Sequence, residues 1–429
     1  MTSPVLKLRA HTVALDGAPD LLAEAGESGY LWREEAGGLA ATGVAAGIDL
    51  PGGLGDAAAI RDVLASLADI ETVDEVGLPG CGPVVIGALP FDPAAPGHLI
   101  VPQRVVGCRD GRAWVTTVSP VESVPGVVDW RTEGPVRPSG SPPDHFSLTA
   151  SMPHADWKAV VAGAVDAIKR GELRKVVLAR RVDITGNRPF VVSDVLARLQ
   201  ALYPSCMIFS VDGFLGASPE LLIRRTGDLV ESHPLAGTVA RSGDTRSDEA
   251  LIAGLMGSKK ARHEHQVVVD ELRAALAPVC TELVIPDHPS VMGLRNVSHL
   301  GTRISGRLGA GAARAGRAAE SAAGGLPSAL ELVAMVHPTP AVGGNPTAAA
   351  IRYAADVEGF DRGRYAGPVG WMDSRGDGAF ALGIRCAEVS GARARIYAGN
   401  GVVAGSDPDE ELAETQLKLQ ALLAALVRP

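Results

Sequence analysis

Extended segments in this chain come in neighbouring pairs, and this limits the fold more than any other feature of the sequence. "CMIFSV", Asp212-Gly213 and "FLGAS" predict two strands joined by a two-residue turn of the kind that favours a left-handed backbone. "ELLIRR", "TGD" and "LVESH" predict a second hairpin. Near the C-terminus "RYAGPVGWMD", "AFALGIRCAEV" and "RARIYAGN" are separated only by "SRGDG" and "SGA", which predicts an antiparallel meander. Helical patterns are grouped over 154–171, 247–278, 344–357 and 408–427 instead of alternating one for one with strands. A doubly wound parallel sheet requires that alternation, so the expected class is α+β.

The 429 residues suffice for two or three domains by length alone. Pro, Gly and Ser crowd 125–144, a long connection, and the small-residue stretch 308–327 fits a surface loop or a loose Ala-rich helix. No fixed-period repeat is present. A net charge of −9 offers no basic field for nucleic acid or anionic lipid, so an anionic small substrate needs locally placed cations. The five cysteines form no Cys-x-x-Cys pair, which suits reduced thiols in a cytoplasmic protein. Neither a signal sequence nor a membrane-spanning apolar run is expected.

Glu264 in "ARHEHQVVVDEL" lies between two histidines, yet His263 and His265 are two residues apart, roughly 200° around a helix, and cannot chelate one ion together. Val268, Val269, Leu272 and Leu276 define the core-facing stripe, so Glu264 borders the buried side. Its simplest partner is Lys260, one turn earlier. In "SDPDEELAETQLKL", Asp407 caps a helix with Pro408 in its first turn, and Glu411, Glu414 and Lys418 share one face. A Glu414–Lys418 ion pair is the plain expectation there. Two helices that each present a carboxylate can also hold one Mg²⁺, whose octahedron is completed by water and substrate oxygens. Lys175 begins a strand and reaches solvent unless a closed pocket desolvates it. Glu220, after Ser218-Pro219, opens another strand, and only burial would keep it protonated. The glycines of "AGNGVVAG" resemble a dinucleotide loop, but they follow an antiparallel strand with no helix at once behind, so that reading is rejected.

Seven blocks in order, "RKVVLAR", "LGASPELLIRR", "HPLAGTVAR", "ARHEHQVVVDEL", "MVHPTPAVGGNP", "YAGPVGWMDSRGDGAFALGIRCAEV" and "AGNGVVAGSDPDEELAETQLKL", resemble those of the chorismate-utilising enzymes. The resemblance implies a single large α+β domain of helix–sheet–sheet–helix layers with mainly antiparallel sheets. The resemblance is strong over about 155–425 and weak before it, and the domain it implies spans 1–429, with an N-terminal strand-contributing part (1–125) and a catalytic core (150–429). It further implies Mg²⁺ held by Glu264 and Glu414, with Glu411 nearby. Lys175 is then the base that activates water and Glu220 the acid that protonates a departing hydroxyl. Gly237 and Thr238 become contacts to the ring carboxylate, with Ala341 beside the substrate, and Tyr365, Arg385, Gly399 and Lys418 contacts to the enolpyruvyl carboxylate. One departure is Ala261, where the family commonly places an acidic residue three positions before the metal glutamate.

Within the family, Ala236 stands where aminodeoxychorismate synthases carry a nucleophilic lysine, and Ala341-Val342 resembles isochorismate synthases. The resemblance therefore implies Mg²⁺-dependent conversion of chorismate to isochorismate, for menaquinone or siderophore biosynthesis. It implies a monomer without an amidotransferase partner. Salicylate synthase is the alternative, and a non-catalytic chorismate-binding protein a more distant one.

Overall fold

The computed structural model describes residues 7–121, 141–309 and 325–427. Most of the connection at 125–144, and most of the small-residue segment at 308–327, lie outside them. The described residues form one α+β domain around a 13-stranded and a 9-stranded sheet, with a small 3-stranded sheet beside them. Among the described residues every ladder is antiparallel except that between Leu8–Leu15 and Glu71–Asp74.

Alternation along the strands explains the layering. In Met207–Val211 the side chains of Met207, Phe209 and Val211 enter the core between the two large sheets, whereas Ile208 faces the opposite side. That opposite face of the 13-stranded sheet is covered by the helices Val192–Leu202 and Pro408–Leu426. The helices Ala57–Ala68, Lys259–Leu276 and Ala329–Val336 contribute their apolar stripes to the core beside the 9-stranded sheet. N-terminal strands are woven into both sheets: Tyr30–Glu34 pairs with Met207–Val211, and Val84–Ala88 pairs with Pro368–Asp373.

The first hairpin forms as expected, with Val211 opposite Phe214 and both Asp212 (φ 46°) and Gly213 (φ 72°) left-handed. The second turns at Gly227-Asp228, one residue shorter than "TGD". The helical pattern over 247–278 is two helices, Thr245–Gly257 and Lys259–Leu276, because Ser258 leaves helical geometry to cap the second. The C-terminal meander differs from expectation. "AFALGIRCAEV" is two strands, Gly378–Leu382 in the 9-stranded sheet and Cys386–Ser390 in the 13-stranded one. The chain crosses between sheets at Gly383–Arg385, where Arg385 has φ 49°, a conformation that side chains other than glycine rarely adopt. Alternation of apolar residues continues through this break and hides it.

Two further crossings occur nearby. Phe214–Ser218 belongs to the larger sheet and Leu221–Thr226 to the smaller, with Pro219-Glu220 between them. Leu229–His233 leads through Pro234 into Leu235–Ala240 of the 3-stranded sheet. These crossings leave strand ends free of ladder partners, and the candidate chemistry gathers there.

Candidate active site

One cavity is lined by Glu220, Gly237, Thr238, Glu264, Ala341, Tyr365, Arg385, Gly399, Glu414 and Lys418. Glu411 lines a second cavity that shares Thr238, Glu264 and Glu414 with the first. Lys175 is the first residue of the strand Lys175–Gly186 and only 2 % exposed, against the solvent-facing expectation for an isolated strand-opening lysine. Its ammonium nitrogen lies 3.0 Å from Glu264 Oε1, a contact without directed hydrogen-bond geometry. Lys260, the partner expected for Glu264 from helical spacing, instead reaches Glu411 at 3.3 Å. The reason is tertiary: the Glu264 side of the helix faces the Lys175 strand, across the bare backbone of Gly401. A Cβ on Gly401 would lie 2.3 Å from Glu264 Oε1. Gly399 similarly gives way to the Tyr365 hydroxyl, 2.9 Å from where its Cβ would be.

Glu220 sits at a sheet crossing, 4 % exposed, with one carboxylate oxygen accepting from the Leu235 N–H at 3.3 Å. Burial pushes its carboxyl up to about 7, against the opposing pull of that hydrogen bond and of the Lys175, Arg385 and Lys418 charges. At neutral pH a large share of this side chain therefore carries a proton it can donate.

Arg385, at the other crossing, is 8 % exposed and directs Nη2 to His299 Nε2 at 3.2 Å. Guanidinium only donates, so Nε2 accepts and Nδ1 carries the hydrogen, facing Thr238 Oγ1 at 3.1 Å. Burial, then Arg385 and Lys418, hold the imidazole well below its ordinary value, which keeps it neutral. The Thr238 hydroxyl also stands near Glu414 and favours its charged form. His299 thus bridges the cationic and acidic sides of the cavity, and the sequence patterns did not single it out. "NVSHL" is an unremarkable buried-strand sequence, and only its placement beside "HPLAGT" reveals the role.

Burial raises the Glu414 carboxyl, but the Lys418 ammonium at 2.6 Å, the Thr238 hydroxyl and Arg385 outweigh it and hold the group below its usual value. Lys418 also donates to Gly399 O at 2.8 Å. Glu411 is pushed up by burial and by the Glu414 charge, despite Lys260. Its backbone carbonyl accepts from Asn400 Nδ2 at 3.0 Å, and the same amide reaches its carboxylate. These donors are all hard oxygens, and the mutual repulsion of Glu411 and Glu414 is what a small divalent cation would relieve. Among the described residues no three acidic, histidine or cysteine side chains enclose an ion, so the arrangement fits a cation that takes one or two carboxylates and fills its shell with water and substrate. Ala261 packs 3.0 Å from where a Cβ of Gly237 would lie and supplies no oxygen.

The family model "Chorismate binding enzyme" matches residues 21–427. The putative isochorismate synthase MenF of Mycobacterium tuberculosis is 39 % identical over 381 residues, covering 85 % of this chain and 92 % of its own. Isochorismate synthase DhbC of Bacillus subtilis is 36 % identical over 356 residues, covering 80 % and 81 %. Among solved structures, the menaquinone-specific isochorismate synthase MenF of Escherichia coli superposes with a TM-score of 0.79 at 25 % identity, covering 99 % of this chain and 95 % of that one. The fold, the converging side chains and these likenesses agree, and the chain belongs to the chorismate binding enzyme family.

Proposed function

We propose that the protein is an isochorismate synthase that converts chorismate to isochorismate with Mg²⁺ as cofactor. The observation that carries this reading is a cavity lined by a protonatable buried glutamate, two further carboxylates and two cations, with the buried Lys175 ammonium, itself outside the lining, 3.0 Å from the lining carboxylate of Glu264. In the reaction a water oxygen bonds to ring carbon 2, the ring double bonds shift, and the bond from carbon 4 to its hydroxyl breaks. Lys175 Nζ, acting as the uncharged amine, would take the proton that the attacking water loses. Glu220 gives its proton to the departing hydroxyl, which leaves as water, so the ring gains and loses one water. The two groups must hold opposite protonation states, and burial of Glu220 supplies one half of that requirement.

Glu264 and Glu414 would hold Mg²⁺, with Glu411 beside them, and the ion supplies positive charge for the ring carboxylate of the substrate. Gly237 and Thr238 lie where that carboxylate would bind. Arg385, Lys418, Tyr365 and Gly399 line the same cavity and would receive the enolpyruvyl carboxylate. Clustered cations in a chain of net charge −9 suit a dianionic substrate. Ala341 and Val342 line the wall. Their small apolar side chains offer no polar group to assist pyruvate loss. Five free cysteines support work in a reducing cytoplasm.

Purified protein incubated with chorismate and Mg²⁺, with products separated by chromatography, tests the proposal. Isochorismate as main product supports it. Salicylate with pyruvate, or anthranilate in the presence of ammonia, overturns it.

A further inference from the structure

The strand that begins at Lys175 has a gap in one of its ladders. On that edge Gly344–Asn345 pairs with Val176 and Lys175, and Phe146–Ala150 pairs with Val182–Gly186. Between these two partners the Val177 carbonyl and the Ala179 N–H have no strand to bond. A buried ion pair fills the gap: Arg362 Nη2 donates to Val177 O at 2.7 Å, and Ala179 N–H donates to Glu358 Oε1 at 2.8 Å. Glu358 is the last residue of the helix Thr347–Glu358, and the two side chains form a two-pronged pair, with Arg362 Nε 2.9 Å from Glu358 Oε2. They are 5 % and 3 % exposed, and the guanidinium lies 4.3 Å over the Phe91 ring.

The same guanidinium reaches further. Its Nη1 donates to Val342 O at 2.9 Å, and the Arg362 carbonyl accepts from the Tyr365 N–H at 2.9 Å. One ion pair therefore ties together the strand of Lys175, the wall of Ala341 and Val342, and the turn that presents Tyr365. An arginine is suited to this because its planar fork serves a carboxylate and two carbonyls at once, which a lysine ammonium on a flexible stem cannot reproduce. Burying two charges is costly, and a fold in need of stability alone is served as well by apolar packing.

We propose that Glu358 and Arg362 are positioning residues, a side-chain substitute for a missing strand that sets Lys175, the Val342 wall and Tyr365 in catalytic register. The inference rests on the proposed isochorismate synthase reading for its activity assay alone. Neither side chain lines the cavity, so both act through the backbone they hold.

The test compares Arg362→Lys and Glu358→Gln with the unmodified protein, by thermal melting, steady-state kinetics on chorismate and amide hydrogen exchange. Expected are folded variants in which peptides covering 177–181 exchange faster while distant strands do not. In the same variants kcat falls on the order of 100-fold, as sub-ångström to ångström misplacement of reacting groups produces, and KM changes less. A folded variant with unchanged kcat, or unchanged exchange over 177–181, overturns the proposal. Failure of both variants to fold also overturns it, since the pair would then serve the fold and not the site. An unmodified protein that leaves chorismate untouched overturns the assignment of activity, whereas the exchange measurement reads the clamp independently.

Discussion

Lys175 Nζ and Glu264 Oε1 meet 3.0 Å apart above Gly401, whose missing side chain makes the meeting possible. A Cβ there would lie 2.3 Å from the carboxylate oxygen and 2.6 Å from Lys175 Cε, so Gly401→Ala must push at least one of them aside. The expected cost is about 1–3 kcal/mol of stability, with turnover lost in protein that remains folded. Chemical denaturation and an activity assay on the same preparation check both parts.

In the proposed mechanism, removing the Lys175 amine leaves the water without a base. Lys175→Met fills the buried site with an uncharged chain of similar length, and it is expected to fold while kcat drops about 10²–10⁴-fold. Activity close to that of the unmodified protein would exclude Lys175 as the base.

Glu220 must be protonated to act as an acid, so turnover is expected to decline as pH rises through about 7. Glu220→Gln should abolish this limb together with most of the activity. A second consequence concerns stability. The folded-state value is raised above the ordinary 4.5, so the proton on Glu220 favours the fold fully below that value, and the advantage is lost as pH rises through about 7. It amounts to roughly 3 kcal/mol. Unfolding curves at pH 5 and pH 8 for the unmodified protein and Glu220→Gln measure the difference.

The carboxylate group is expected to bind Mg²⁺ independently of substrate. Chelator should stop turnover and Mg²⁺ restore it. A cation at about 100 times its Kd stabilises the fold by roughly 2.7 kcal/mol, visible as a rise in Tm. Glu264→Gln and Glu414→Gln should abolish that rise. A Tm indifferent to Mg²⁺ in the unmodified protein would mean that these acids are ordinary ion-pair partners of Lys175 and Lys418.

Acid should unfold the protein through its buried histidines. Burial holds His337 and His233 down to about 4, and burial with two neighbouring cations holds His299 lower than its usual range. A depressed histidine contributes its stability above about 6.5 and loses it as pH falls toward the folded value, because the unfolded chain takes up the proton first. His337→Gln, which keeps a donor for the Phe91 carbonyl, should flatten the decline in Tm between pH 6.5 and 4.

Much of this fold is legible in local pattern. Asp212-Gly213 announces its hairpin, Asp407 and Pro408 announce a helix start, and Val268, Val269, Leu272 and Leu276 identify a buried face. Glu414 and Lys418 pair as one helical turn dictates. These features depend on backbone geometry and spacing, which neighbouring residues fix by themselves.

Tertiary structure alone decided the rest. Spacing offered Glu264 the amine of Lys260, but the fold gave it Lys175 and turned Lys260 to Glu411. Apolar alternation ran unbroken through Gly383–Arg385, although the chain changes sheets there and turns Arg385 into the cavity. His299 became a neutral bridge only when its strand was laid against Leu235–Ala240. A side chain's face follows from periodicity, whereas its partner and its protonation follow from which distant segments bury it together, and that is a property of the packed sheets.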